Sequence, residues 1–333
     1  MKAPSPSALR LASLDDGRVR LGPQTLHVDI TNSCNTECIT CWDHSPHLAS
    51  ARPASWKRRR VTAAQVAALL DDVMALGGLE AVIVSGMGEP LTHPDAGTIL
   101  KDIKRRGLHL TVISNLVAVE AEDILQWGVD QVLVGLHAAS QRAYLDFHPS
   151  FSARHWTKVN RMLEVFRDAG RRFKHVHVIC TTNAHELPEM IEQAHRLGAE
   201  RVNFKFASLG EGTEAVRVTD AQRQHLLERG IADAEARAGA LGVEHNLDVF
   251  RMQVLAGGEA TAPIEDVGCF LGHHYSRVAV DGTVLYCCST EVVVGQLDER
   301  TRFGDLWNGP AWNALRLRMR RGEYFASCRQ CGK

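Results

Sequence analysis

The chain has 333 residues, 45% hydrophobic and 23% charged, with 38 Lys and Arg against 39 Asp and Glu. That length and apolar content supply a sizeable core, somewhat more than one average domain, and the balanced charge offers no broad cationic surface for nucleic acid. No run of 18 or more uninterrupted apolar residues occurs and the first 20 residues lack a signal-like apolar core, so the sequence predicts a cytoplasmic protein that does not engage a membrane. Nine cysteines in short, metal-like spacings without an export signal point to a reducing compartment, with most thiols acting as ligands.

In chain order, residues 1–23 form an N-terminal extension before a first predicted strand, Leu26 to Ile30. Cys34, Cys38 and Cys41 follow at once, in the run Cys34-Asn35-Thr36-Glu37-Cys38-Ile39-Thr40-Cys41. Three thiolates on one tight loop can hold three irons of a cubane [4Fe-4S] cluster and leave the fourth iron open to a small molecule; zinc would normally require a fourth protein ligand or an open catalytic position. Just beyond lies Lys57-Arg58-Arg59-Arg60, which reads as a solvated surface, a contact for an anionic substrate or a dock for an acidic electron donor.

Further strands are predicted at Ala81 to Ser85, His109 to Ser114, Gln131 to Leu136, His175 to Cys180 and Arg201 to Phe206. Helices are predicted between them, at Thr62 to Leu76 with Thr62 as cap, Pro94 to Lys104, Ala121 to Trp127, Ala153 to Ala169 and Glu186 to Leu197. The alternation predicts an α/β fold, a parallel and partly closed barrel spanning 24–210, with its chemistry at the carboxyl ends of the strands. Gly86-Met87-Gly88-Glu89-Pro90, Ser114-Asn115, His137, Cys180, Asn203 and Lys205 all fall at or near those ends.

Residues 211–264 read as a helical bridge, with a helix over Thr219 to Leu241. In residues 265–333, Cys269 precedes a hairpin, Val278 to Cys287, turned at Asp281-Gly282; Cys288 is adjacent, and Cys328-Arg329-Gln330-Cys331 closes the region. Cys269, Cys287, Cys328 and Cys331 suit either a tetrahedral zinc or a fully ligated [4Fe-4S] cluster. Gly304 to Trp307 and Trp312 to Arg316 fit a helix packed over the hairpin.

The Cx3Cx2C run, reinforced by Gly86-Met87-Gly88-Glu89-Pro90, resembles the signature of the radical S-adenosylmethionine (SAM) superfamily. The resemblance implies a partial (β/α)6 barrel, a SAM molecule chelated by the unique iron, and an electron from reduced flavodoxin or ferredoxin that cleaves it to methionine and a 5'-deoxyadenosyl radical. It also implies that Gly86, Gly88 and Glu89 receive the SAM amino group and that Ser114 and Asn115 lie by the ribose or carboxylate. The family's aromatic residue before the third cysteine is Thr40 here, with Trp42 after Cys41 instead. Cys269, Gly282-x4-Cys287, Leu306-Trp307 and the terminal Cys-x2-Cys resemble the shortened SPASM, or twitch, region, which implies one auxiliary [4Fe-4S] cluster and two clusters in all.

The reaction expected from these residues is epimerisation of a sugar or aminocyclitol carbon in natural-product biosynthesis, with Cys180 or Cys288, the two thiols left after seven are assigned to clusters, returning a hydrogen atom. Dehydrogenation of a secondary alcohol through the auxiliary cluster, radical modification of a peptide and a non-enzymatic iron-sulfur interaction module are the alternatives. The short region before the first strand leaves no space for a cobalamin domain and disfavours peptide recognition, so a small-molecule or oligosaccharide substrate is expected, with a peptide still possible. His137, Asn203, Lys205 and Arg277 are the candidate substrate contacts, in an opening between barrel and hairpin.

Overall fold

The computed structural model describes residues 5–16, 18–258 and 263–331. The other positions, parts of the N-terminal extension, the bridge and the C-terminal region as read from sequence, lie outside the described residues. Helix α1 (Pro6–Asp16) precedes strand β1 (Thr25–Asp29), and α2 (Ala54–Lys57) and α3 (Ala63–Ala75) lead to β2 (Ala81–Ser85). Then come α4 (Ala96–Arg105), β3 (His109–Ser114), α5 (Ala121–Trp127), β4 (Gln131–Gly135), α6 (Gln141–Phe147), α7 (Ala153–Asp168), β5 (Phe173–Ile179), α8 (Leu187–Leu197) and β6 (Arg201–Phe206). Strands β1 to β6 pair in sequence order and all in parallel, which is the partial barrel expected from the alternation.

Local chemistry sets these elements. The Thr62 hydroxyl accepts from Gln65 N–H at 3.1 Å while the Gln65 side chain accepts from Thr62 N–H at 2.8 Å, a capping box that starts α3. Helices α5 and α8 stop where Gly128 and Gly198 adopt the left-handed conformation, at φ 75° and 76°. Alternation along each strand then divides the sheet into two faces. Leu26, Val28, Val82, Val84, Leu110, Val112, Val132, Val134, Val202 and Phe204 point outward and are sealed under the helices. The opposite parity faces the barrel interior and is more open: Ile113 is 36% exposed and Lys205 is exposed.

After β6, the stretch predicted as one helix is two, α9 (Asp220–His225) and α10 (Ile231–Leu241), joined by a π-helical turn over Leu226–Gly230. Gly230, the poorest helix former in the run, ends that turn. The chain continues through β7 (Glu244–His245), α11 (Leu247–Leu255), α12 (Ile264–Val267), β8 (Tyr275–Val278), β9 (Thr283–Leu285), β10 (Val293–Gln296), α13 (Phe303–Trp307) and α14 (Pro310–Arg320). Strand β8 pairs in parallel with β1, and β9 and β10 add in antiparallel fashion. One ten-stranded sheet results, in the order β10-β9-β8-β1-β2-β3-β4-β5-β6-β7. The hairpin is therefore welded to the barrel edge beside the first cysteine loop. Arg316, 1% exposed, locks the helical cover by packing its guanidinium 4.5 Å from the Trp307 ring and 5.3 Å from that of Trp312.

Candidate functional site

The loop after β1 is pinned from several sides. Glu89 N–H donates to Ser33 O at 2.8 Å, and a Cβ built on Gly88 would stand 2.1 Å from that same oxygen. A Cβ on Gly86 would likewise stand 2.5 Å from Thr31 O. Only glycine lets the segment after β2 lie this close to the backbone that leads into Cys34. On the other flank Ile39 N–H donates to Phe147 O at 3.1 Å and Glu37 N–H to Ser150 Oγ at 3.0 Å. Asn115 Nδ2 donates to Asn35 Oδ1 at 2.8 Å, which ties the end of β3 to the space between the first two cysteines.

Within that frame the three thiols are unpaired by disulfides and influence one another electrostatically. Burial pushes the Cys34 thiol up to about 12 and the Cys38 thiol well above its ordinary value; Cys34 and Cys41 raise Cys38 further. Such thiols ionise when a cation shares their pocket. Among the described residues no group of three or more Cys, His or acidic side chains stands in a ready metal-ligating arrangement. The donor set itself, three soft sulfurs on a dry and braced loop, fits iron–sulfur ligation. Among the described residues the buried Tyr144 hydroxyl has no hydrogen-bond partner, and the ionisable Cys38 acts on it, which adds an orphaned donor on the same side.

Glu89 gathers the residues expected beside SAM. Its carboxylate, 4% exposed, accepts from Ser114 Oγ at 2.7 Å, Leu91 N–H at 3.0 Å and Asn115 N–H at 2.9 Å. Burial raises this carboxyl above its ordinary value, and those three donors oppose the shift.

The predicted substrate contacts sit around the barrel interior in different states. His137 has φ 59°, a strained value for a residue other than glycine. It is held there by Asn183 Nδ2, which donates to its carbonyl at 2.7 Å, and by stacking on Phe147 at 4.4 Å. Val178 N–H donates to His137 Nδ1 at 3.0 Å, so the neutral ring carries its proton on Nε2. Burial, with help from His148 and Lys205, lowers this imidazole well below its ordinary value and keeps it neutral. Asn203 accepts from Arg201 at 3.2 Å. Lys205 lies on the same inner face and is exposed.

Arg277 is engaged within the protein. Its Nε and Nη2 clasp Asp29, with a shortest contact of 2.7 Å, and its Nη1 donates to Cys288 O at 3.2 Å. Burial raises the Asp29 carboxyl, and Arg277 works against that. His27 extends the network, with Nδ1 2.8 Å from Tyr275 Oη and Nε2 bonded to Ser85 Oγ. Sequence reading missed Asp29, His27 and Tyr275; the signal for His27 and Asp29 was polar residues inside a predicted strand, whereas Tyr275 lies ahead of the predicted hairpin. Cys180 is fully buried among Ile39, Phe147, Ala207 and Val216, with its thiol 3.3 Å from the Thr182 hydroxyl.

At the far end of the sheet, Cys269 is raised first by burial and then by Cys328, Cys331 and Cys288. Burial pushes Cys287 up to about 12, with Cys288, Cys269 and Cys328 adding to it. Five thiols thus share one neighbourhood, and all are half-buried.

A family profile described as the radical SAM superfamily matches residues 28–194, half of the chain, and one described as an iron-sulfur cluster-binding domain, SPASM, matches residues 269–332. The chain belongs to the radical SAM superfamily. As members of this superfamily with SPASM regions are, it is an enzyme, and the scaffold-only alternative falls away. Radical SAM and SPASM regions use SAM and typically bind one [4Fe-4S] cluster each. No curated protein matches the sequence. The fold is similar to that of Streptococcus suis SuiB bound to precursor peptide SuiA, with TM-score 0.67 at 14% identity over 92% of this chain and 70% of that one. It is also similar to native anSMEcpe with bound AdoMet, with TM-score 0.64 at 13% identity over 93% of this chain and 88% of that one. The same protein with bound AdoMet and the Cp18Cys peptide gives TM-score 0.64 at 12% identity over 93% and 86%. Among the described residues of this radical SAM enzyme, no helix is long and apolar enough to cross a membrane.

Proposed function

We propose that the chain is a radical SAM enzyme that abstracts hydrogen from a carbon of a peptide substrate. Cys34, Cys38 and Cys41 would hold the cluster that binds SAM, with Glu89, Ser114, Asn115 and the Gly86–Gly88 backbone around the SAM amino and carboxylate groups. Cys269, Cys287, Cys328 and Cys331 would hold an auxiliary cluster. When bound, the first cluster and SAM supply reductive cleavage and the radical that takes the hydrogen atom.

The observation that carries the peptide reading is the open inner face of the barrel, where Ile113 and Lys205 remain accessible while Val112 and Phe204 on the opposite parity are sealed. An extended chain can lie in such a trough, with His137 Nε2–H, Asn203 and Lys205 as polar contacts along it. Peptide-bound SuiB and anSMEcpe share this fold and support the same reading. Sugar or aminocyclitol epimerisation has weaker support: Cys180, one of its two thiols, is buried and bonded to Thr182. Cys288, the other, is half-buried and leaves hydrogen return open; the competing outcome would be loss of an electron to an auxiliary cluster held by Cys269, Cys287, Cys328 and Cys331, with the proton passing to water.

The test uses enzyme reconstituted under anaerobic conditions, SAM, dithionite and a deuterated cell extract divided into protease-sensitive and protease-resistant fractions. Deuterium is expected in 5'-deoxyadenosine only with the protease-sensitive fraction. Transfer from the resistant small-molecule fraction instead would overturn the peptide assignment and restore the sugar.

A further inference from the structure

The basic run Lys57–Arg60 has a definite place in the fold. It is the outer side of a strap whose backbone lies along residues 30–33, directly before Cys34. Asn32 N–H donates to Arg59 O at 2.9 Å, Val61 N–H to Ile30 O at 3.1 Å, and Thr31 and Arg60 form an antiparallel bridge. Ser33 Oγ donates to Lys57 O at 2.9 Å, and Asn32 Nδ2 to Trp56 O at 3.2 Å. Lys57 is half-buried, and its charge is felt at Cys41 and His44. Arg58, Arg59 and Arg60 are exposed. Arg59 meets Asp281 at 3.4 Å, whereas the side chains of Arg58 and Arg60 have no ion pair or hydrogen bond among the described residues. Asp43, an acid of the cysteine loop, is taken by Arg52 at 2.7 Å. A chain with net charge −1 therefore concentrates uncompensated positive charge where its surface lies one hydrogen bond from the cysteine loop.

We propose that this strap is the docking surface for an acidic one-electron donor protein. The inference rests on the radical SAM reading, since that chemistry draws an electron from outside, and the three thiols beside the strap are half-buried. A donor with acidic residues around its own cofactor would be steered onto Arg58 and Arg60. It would there face the hydrogen-bonded route through Lys57 O and Ser33 into the loop. Complementary rim charges of this kind act on encounter rate and salt dependence and leave the chemical step alone.

The test compares the holoenzyme with its Arg58→Glu/Arg60→Glu variant. Deoxyadenosine formation is driven in parallel by reduced flavodoxin and by dithionite, and flavodoxin binding is titrated separately. The reversal is expected to raise the half-saturating flavodoxin concentration by about tenfold or more and to flatten its dependence on ionic strength. Dithionite-driven turnover and iron content stay at the parent level. Unchanged flavodoxin saturation and binding would overturn the proposal, as would a defect confined to half-saturation by an acidic peptide substrate. Should the reversal also lose iron, the neutral Arg58→Gln/Arg60→Gln variant is judged by the same criteria. The binding titration needs no turnover, so a parent protein that cleaves no SAM under dithionite would sink the reaction assignment separately from the docking one.

Discussion

The loop of Cys34, Cys38 and Cys41 and the thiols of the C-terminal region are braced in opposite ways. The first leaves a central strand and is held by backbone bonds from the segment after β2 and from the end of α6 and by a side-chain bond from the residue after β3, so its shape follows from the barrel core. The second lies at the edge of the sheet, with Cys328 on a short 3-10 turn, Ala326–Gln330, next to the end of the described chain. Metal binding to a site that the fold does not preform contributes to folding itself. On the proposed ligand assignment, the comparison separates a site made by the fold from one that would help to make it.

The largest effects would come from removing either proposed ligand set. Cys34→Ala/Cys38→Ala/Cys41→Ala is expected to reduce deoxyadenosine formation to background and iron and sulfide from about eight of each to about four, with little change in the urea midpoint. Ala at Cys269, Cys287, Cys328 and Cys331 is expected to remove as much iron, but also to lose amide-exchange protection across residues 265–331 while basal SAM cleavage persists. Equal loss of protection in both variants would erase the distinction.

The seam between the two regions is next. Arg277→Ala leaves the Asp29 carboxylate buried without its partner, and breaking a buried pair in this way costs about 3–5 kcal/mol. Urea denaturation of the loaded protein should show that loss, together with weaker retention of the C-terminal iron, because Arg277 also holds Cys288 O.

This seam marks where sequence reading stops. Strands Ala81–Ser85, His109–Ser114 and Arg201–Phe206 are legible to the residue, since each is a short β-branched or alternating run bounded by turn or helix signals. Thr62 with Gln65 announces its helix. The parallel pairing of β8 with β1 joins residues 250 positions apart, and no local pattern encodes it. Cys180 reads as a reactive thiol at a strand end because its burial depends on Ile39, Ala207 and Val216, from three distant segments. Helix α6 is missed because its seven residues show no long apolar period.

An effect that appears only on acidification tests the sealed outer face of the barrel. His175 and His177 are fully buried under the helices, and neither ring nitrogen of either has a partner among the described residues. Burial lowers His175 to about 3 and His177 well below its ordinary value. A depressed histidine stabilises the fold above its unfolded pKa of about 6.5, and that stability is lost as pH falls toward the folded value, at about 1.4 kcal/mol per unit for each ring. His175→Phe/His177→Phe should therefore show a shallower fall in urea midpoint between about pH 6.5 and 4.5. An unchanged slope would move the acid sensitivity to other groups.

The smallest effect returns to the braced loop. The Tyr144 hydroxyl is buried without a hydrogen bond, and His148 Nε2 beside it is equally unpartnered. An unsatisfied buried polar group costs about 1–3 kcal/mol, so Tyr144→Phe should stabilise the cluster-free protein by about 1 kcal/mol. The ionisable group that acts on the phenol is Cys38, whose sulfur accepts hydrogen bonds better as a thiolate. If the hydroxyl turns to that sulfur once the cluster is loaded, the gain from Tyr144→Phe disappears in the holoprotein. Paired urea denaturation of cluster-free and loaded protein reads the difference directly. Equal stabilisation in both would mean that Tyr144 is a packing residue only, and that the braced loop, like the rest of its frame, owes nothing to the metal.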